Sequence, residues 1–347
     1  MWAATAGLTA YSAKKLKEDP DEGKVPLMGV MGAFVFAAQM INFSIPGTGS
    51  SGHIGGGMIL SILLGPYAAF LTIASVVTVQ ALFFADGGLL ALGCNVFNMG
   101  FFPCFLVYPL LYKRIVGDRP TQGRILTGSI VSVVLGLQMG ALGVVFQTVV
   151  SGISDLPFRT FVLLMQPIHL AIGVVEGLIT SAVVSLVWKA RPELLERAAL
   201  AQPIGGIPIR KVLVGLAAAA LLTGGILSWF ASTHPDGLEW SLKRVTGRDE
   251  LGAPSDSVHS ALAAAQERTA VLPDYDFPKA KNSPDTIAAA TGHKKAPAWP
   301  AVSAGTSSAG RAGGVLALCV TGLAGLAVRR AGRSRRKAAC QKAAADL

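Results

Sequence analysis

Met58-Ile59-Leu60-Ser61-Ile62-Leu63-Leu64-Gly65-Pro66-Tyr67-Ala68-Ala69-Phe70 lies inside a run that carries no acidic or basic residue between His53 and Asp86. Read as one span, positions 54 to 85 would be the middle of three crossings between two basic clusters. Lys14, Lys15 and Lys17 would then face the side opposite to Lys113, Arg114, Arg119 and Arg124. Basic residues in short loops mark the cytoplasmic side of a membrane, so both clusters belong together and the run must be divided. Gly65 permits a turn and Pro66 breaks the hydrogen-bond ladder, which predicts a short helix at about 54 to 64 and a full one from Tyr67. A helix of about 11 residues covers only about 16 Å. The remaining depth falls to the loop from Pro46 to Met58, because irregular backbone at membrane depth is tolerated where it lines a protein cavity.

The rest of the chain supports a membrane setting. Of its 347 residues 52% are hydrophobic and 14% charged, and the apolar residues come in blocks rather than in the stripes of soluble helices. About 20 helical residues cross a bilayer, so 25 to 45, 67 to 85, 89 to 112, 125 to 152, 158 to 188, 212 to 230 and 314 to 328 are the expected spans. No strand alternation of a barrel is visible. The fold class is all-α, a polytopic transmembrane helical bundle. The net charge of +10 resides in clusters that flank these spans, including Lys189, Arg191, Arg197, Arg210 and Lys211, and then Arg329, Arg330, Arg333, Arg335, Arg336 and Lys337. That distribution speaks against nucleic acid as a partner and for a membrane.

The loop reads Pro46-Gly47-Thr48-Gly49-Ser50-Ser51-Gly52-His53-Ile54-Gly55-Gly56-Gly57. Its glycines and small hydroxylic residues let backbone approach a ligand, and His53 is the candidate metal ligand. The lysine and strand context of a phosphate-binding loop are absent. Asp86, in the turn before Gly87 and Gly88, is expected to hold a helix end or attract a cation, capping being the simpler role. Gln39, Asn42, Gln80, Asn95, Asn98 and Gln138 are amides in apolar segments that should tie helices together, some of them orienting His53. His169 and Glu176, seven residues apart, share one helix face inside a span, either as a functional pair or as a structural polar contact. Ala6 and Ala10, with Ala3, Gly7 and Ala13 nearby, form a small-residue face on the first helix. It suits either a partner helix or packing within the chain.

Four stretches taken in order carry a family resemblance. They are Ser51-Gly52-His53 with its glycines, Gln80 to Leu89 around Asp86-Gly87-Gly88, Asn95-Val96-Phe97-Asn98-Met99-Gly100, and His169 to Gly177 ending in Glu176-Gly177. Together they resemble the cobalt/nickel substrate-binding subunits of energy-coupling-factor transporters, over residues 1 to about 197. The resemblance implies a compact seven-helix domain that captures Ni(II) or Co(II) as transported substrate, holds no cofactor and hydrolyses nothing itself. It also implies a transmembrane coupling subunit and ATP-binding-cassette ATPases as partners, a first-helix alanine face that docks the coupling subunit, and a multi-pass location in the cell inner (plasma) membrane. In that family an amino-terminal Met-His pair and the histidine of the Ser-Gly-His motif hold the metal. His53 carries over, whereas this chain starts Met1-Trp2-Ala3-Ala4. A start upstream of the given one is therefore expected, with weak metal binding by the chain as it stands, because a tetragonal site wants four nitrogen donors.

The second half is organised differently. After a cytoplasmic linker at 198 to 211, residues 212 to 331 are expected to form two transmembrane helices joined by an external loop at 231 to 312, followed by a basic cytoplasmic tail at 332 to 347. His234-Pro235-Asp236-Gly237-Leu238-Glu239 opens that loop and resembles the accessory subunit of the same transporters, fused here to the first. Its His234, Asp236 and Glu239 are candidates to relay metal, although Pro-Asp-Gly is also a turn sequence. The Ala, Ser, Pro and Gly stretch from about Lys279 to Gly313 reads as a flexible linker. Cys94, Cys104, Cys319 and Cys340 suggest neither a disulfide framework nor a zinc pair, and a cleavable signal peptide is not evident. The other classes considered are a secondary transporter, which should show paired repeats, and an intramembrane enzyme, for which His169 and Glu176 lack a partner.

Overall fold

Residues 1–18, 21, 23–152, 157–200, 202–247, 257–278 and 299–345 are described in a computed structural model of the chain. The apolar blocks fold as helices: α1 (Trp2–Glu18), α2 (Lys24–Gln39), α3 (Gly57–Leu64), α4 (Pro66–Phe83), α5 (Leu92–Val116), α6 (Gln122–Ser151), α7 (Phe158–Ala190) and α8 (Pro192–Ala199) in the first half. The second half adds α9 (Arg210–Gly225), α10 (Gly237–Thr246), α11 (Ser257–Thr269) and α12 (Ala304–Ala345). Among the described residues five helices are long and apolar enough to cross a membrane: α4, α5, α6, α7 and the part of α12 from Ala304 to Ser334. The chain is a polytopic helical membrane protein.

The break at Gly65 and Pro66 is present. Gly65 has φ +78° and ψ 164°, and Pro66 opens α4 at a position where its missing N–H costs nothing. All eight residues of α3 are buried, so this short helix is a core element rather than a crossing. It begins where Gly57 passes α5 so closely that a Cβ there would stand 2.4 Å from both the Met99 carbonyl oxygen and the Pro103 ring. α5 is itself wound with wide π-type turns from Phe97 to Tyr112, and it contains Pro103 and Pro109. Prolines lack the N–H that a regular helix would use at those points. Around α3 and α4 the core closes with Phe36, Ile59, Leu60, Phe70 and Ile73, each at most 1% exposed. Leu163 and Leu186 on α7 are 72% and 68% exposed, as a lipid-facing surface requires.

Several expected boundaries move. α2 stops at Gln39, short of the expected span 25 to 45, because a small antiparallel hairpin follows: β1 (Phe43–Ile45) occupies the end of that expected span and β2 (Ser50–Gly52) lies in the expected loop. α9 covers 210 to 225, short of the expected span 212 to 230, and a 3-10 turn at Leu227–Phe230 closes it. The stretch 231 to 312 is no simple loop: it contains α10, α11 and a 3-10 turn at Pro273–Tyr275. α12 starts at Ala304 instead of about 314, with the Ser303 hydroxyl accepting from the Thr306 amide at its beginning. It also runs on through the expected tail to Ala345, since alanine, arginine and lysine are strong helix formers. The flexible-linker reading at 279 to 298 lies outside the described residues.

The two halves meet along a seam of small residues. α12 and α9 pack on α2, and α12 also reaches α4. A Cβ at Gly313 on α12 would lie 1.9 Å from the Phe36 ring of α2, and within the second half one at Gly310 would lie 2.1 Å from the Gly224 carbonyl oxygen of α9. Side chains larger than hydrogen are excluded at both points. Within the second half, the Trp229 indole donates to the Ser307 hydroxyl at 2.7 Å, and that hydroxyl donates to the Gly225 carbonyl at 2.7 Å, tying α12 to the end of α9. These bonds satisfy polar groups that lipid could not.

Candidate metal-binding loop

His53 follows β2 and precedes the glycines that lead into α3. Its ring is half-buried, and its Nδ1 lies 2.9 Å from the Ile54 carbonyl oxygen. A carbonyl oxygen only accepts, so Nδ1 carries a proton, and in the neutral ring Nε2 then holds the lone pair for a ligand. The backbone just beyond is held from three helices. Gly55 and Gly56 donate their amides to the two oxygens of Glu176 on α7, at 2.7 and 2.9 Å. The Gln39 amide on α2 donates to the Gly55 carbonyl at 2.9 Å, and Gln80 on α4 donates to Gln39 at 2.9 Å. Gly56 sits at φ +79°, where a side chain would be strained.

Glu176 is 2% exposed, and the hydrogen-bond partners of its carboxylate are these two backbone amides. It and His169 face the same side of α7, as their spacing predicts, and both line a cavity of about 110 Å³ together with Met58, Asn98 and Met99. His169 Nδ1 donates to the Met165 carbonyl at 2.8 Å, so this pair is tied to backbone and not joined as a salt bridge. Asn98 exchanges two amide bonds, 2.9 and 3.0 Å, with Gln147 on α6. Gln138 donates to the Gln166 carbonyl at 2.8 Å, the helix-tying role expected of such amides. Asn95 does not line the cavity; it sits against Gly87 at the start of α5.

Three other candidates have different work. The Ser51 hydroxyl donates to the His234 carbonyl at 2.7 Å, joining the halves. Asp86 is not a helix cap: its carboxylate accepts from the Tyr275 hydroxyl of the accessory half. Tyr275 stacks on Phe84 at 5.1 Å, and burial followed by the nearby Asp86 carboxylate pushes its phenol well above the usual range. Pro235-Asp236-Gly237 does not form a free turn but starts α10. Asp236 accepts from the Leu238 and Glu239 amides at 2.8 Å each, and Glu239 reaches back to the Asp236 amide, a capping box. His234 is exposed beside it. α10 lies over the cavity's edge, since a Cβ at Gly237 would stand 3.1 Å from the His169 ring.

Sequence reasoning missed Gln147, Tyr275 and Trp240, whose indole donates to the Thr48 carbonyl at 3.0 Å. Gln147 carries the same signal as the other amides, a polar side chain in an apolar block. The two aromatic residues carry no such signal, because their partners are about 190 residues away in sequence. On α1 the Thr5 hydroxyl donates to the Gly93 carbonyl at 2.7 Å, while Ala6 and Ala10 are exposed on another face. Among the described residues no group of three or more His, Cys, Asp and Glu side chains is gathered as a metal site.

A family described as the cobalt uptake substrate-specific transmembrane region matches residues 1–194, and the PDGLE domain matches residues 210–330. A fused nickel transport protein of Rhodobacter capsulatus is 30% identical over 314 residues, covering 82% of this chain and 86% of its own length. A relative from Archaeoglobus fulgidus is 39% identical over 173 residues, half of this chain, and the chain spans 56% of that relative's length. A solved structure described as a transition metal transporter aligns with 57% of this chain and 90% of its own at 29% identity, with a TM-score of 0.49.

Proposed function

The chain belongs to the cobalt uptake substrate-specific transmembrane family, with a PDGLE domain fused behind it, and from that premise we propose that it is the metal-capturing membrane subunit of an ATP-driven nickel/cobalt importer. The observation that carries the reading is the state of His53: its Nδ1–H is committed to the Ile54 carbonyl, which turns Nε2 into a donor for Ni(II) or Co(II). The loop around it is fixed by Glu176, Gln39 and Gln80, so the ligand is held before metal arrives.

Transport energy would come from partners. The face of α1 bearing Ala3, Ala6, Gly7 and Ala10 is exposed and narrow enough for close helix approach, which suits a transmembrane coupling subunit that in turn binds ATP-binding-cassette ATPases. In this reading Pro46 to Met58 and 231 to 312 face outside, Lys113 to Arg124 and the 332 to 347 segment face the cytoplasm, and the membrane is the cell inner membrane. His234, Asp236 and Glu239 act in metal delivery by shaping α10 over the loop, with His234 on the outer side.

Uptake of radioactive nickel and cobalt in cells expressing the full chain with coupling subunit and ATPases tests this reading. His53→Ala should reduce uptake to background while membrane insertion is kept. Uptake unchanged in His53→Ala would overturn it.

A further inference from the structure

The peptide group between Ile54 and Gly55 is bonded on both sides by groups that matter to His53. Its carbonyl oxygen accepts from His53 Nδ1 at 2.9 Å, and its N–H donates to Glu176 Oε2 at 2.7 Å. We infer that Glu176 is a positioning residue for metal capture, acting on His53 through this single peptide group. The array runs imidazole N–H to carbonyl, then amide N–H to carboxylate. It is a carboxylate–histidine pair of the kind that orients metal ligands, with one peptide inserted between the two side chains.

A carboxylate on the amide N–H polarises the peptide and makes its carbonyl a stronger acceptor, because bonds in a chain reinforce one another, by roughly 10–30% per bond. A stronger acceptor at Ile54 holds the proton on Nδ1 and leaves the lone pair on Nε2, the nitrogen available to a metal. The array is also rigid. Glu176 Oε1 accepts from Gly56 at 2.9 Å, so the carboxylate cannot rotate away from Gly55. The Gln39 amide, steadied by Gln80, holds the far carbonyl of Gly55. A carboxylate that is 2% exposed, bonded to two backbone amides, is costly to keep in a helix bundle unless its charge is used.

This inference rests on the proposed role of His53 as the metal ligand, so its test includes a readout that needs no metal. The full chain in detergent, labelled with ¹⁵N-histidine, reports the His53 tautomer from its two ring-nitrogen shifts, with His53→Ala assigning the signal. The wild type should show the Nδ1–H form. Glu176→Gln, which offers one neutral oxygen and turns an NH₂ towards the second amide, should mix the tautomers and weaken Ni(II) binding by about 10- to 100-fold in calorimetry. Gln39→Leu loosens the same loop without touching the array, and it should leave the tautomer in place. An unchanged tautomer in Glu176→Gln overturns the inference. So does an equal change in both variants, which would reduce Glu176 to loop support. If the tautomer shifts while the wild type takes up no metal at all, the array stands and the transport reading falls. If His53→Ala abolishes uptake but Glu176→Gln moves neither tautomer nor affinity, the transport reading stands and this inference falls.

Discussion

Ser51 donates its backbone amide 2.8 Å to the carbonyl of Pro235, and its hydroxyl reaches both His234 and Pro235, 183 and 184 residues further along the chain. The serine of the Ser-Gly-His stretch is thus the clasp between the candidate metal loop and the accessory half, two residues before His53. Ser232 adds a bond from its amide to the Asn42 carbonyl at 2.7 Å, and Trp240 one to Thr48 at 3.0 Å. The accessory half grips the loop by backbone on both sides of the hairpin.

Removing residues 234 to 278 should therefore abolish metal uptake while the first half stays folded and inserted. Uptake assays paired with a protease-protection assay of the first half would show it, and unchanged uptake would demote the segment to a spacer. Trp240→Phe keeps the ring and removes one hydrogen bond, worth about 1 kcal/mol. It should leave uptake measurable but speed hydrogen exchange in α10 by about fivefold, since RT is about 0.6 kcal/mol.

At the other edge, Tyr275→Phe keeps the stack on Phe84 and removes the hydroxyl from Asp86. A bond to a charged acceptor contributes about 1.5–3 kcal/mol; the Asp86 carboxylate is exposed, which argues for the lower end. Hydrogen exchange over 257 to 277 should accelerate by about tenfold or more, and a smaller change than threefold would contradict the bond. Because the folded phenol is raised, its contribution is fully present below the unfolded value of about 10 and is lost as pH climbs through the higher folded value. Exchange protection of this segment attributable to Tyr275 should be flat from pH 6 to 9 and fall only in strong alkali.

The small-residue seam predicts intolerance of side chains. Gly310→Leu and Gly313→Leu would each drive atoms into the Gly224 backbone or the Phe36 ring, a cost of about 1–3 kcal/mol or more. When the two halves are expressed as separate chains, Gly310→Leu should speed hydrogen exchange in α9 within the second half, and Gly313→Leu should reduce co-purification of the halves several-fold. Gly314→Leu, where a Cβ meets nothing within 4 Å, should not.

Sidedness is tested on a cysteine-free background. A cysteine at Ala263, exposed on α11, should react with an impermeant reagent added outside, and one at Asp118, in the basic loop, should react only after the membrane is opened. The reverse pattern would invert the proposed orientation.

Much was legible in the chain itself. Apolar blocks of 20 residues and more specify helices in lipid because nothing else satisfies their backbone there. The Gly65-Pro66 pair announced the break between α3 and α4, since proline and glycine act through local geometry alone. His53 stood out as the lone imidazole in a glycine loop. What tertiary structure decided were the partners. Asp86 looked like a cap and instead receives Tyr275, Pro235-Asp236-Gly237 looked like a turn and instead opens α10, and Glu176 looked like the mate of His169 and instead grips Gly55 and Gly56. A hydrogen bond depends on which groups the packed helices bring within about 3 Å. A sequence records the donors and acceptors, but distances between residues more than a hundred positions apart arise only when the helices have chosen their neighbours.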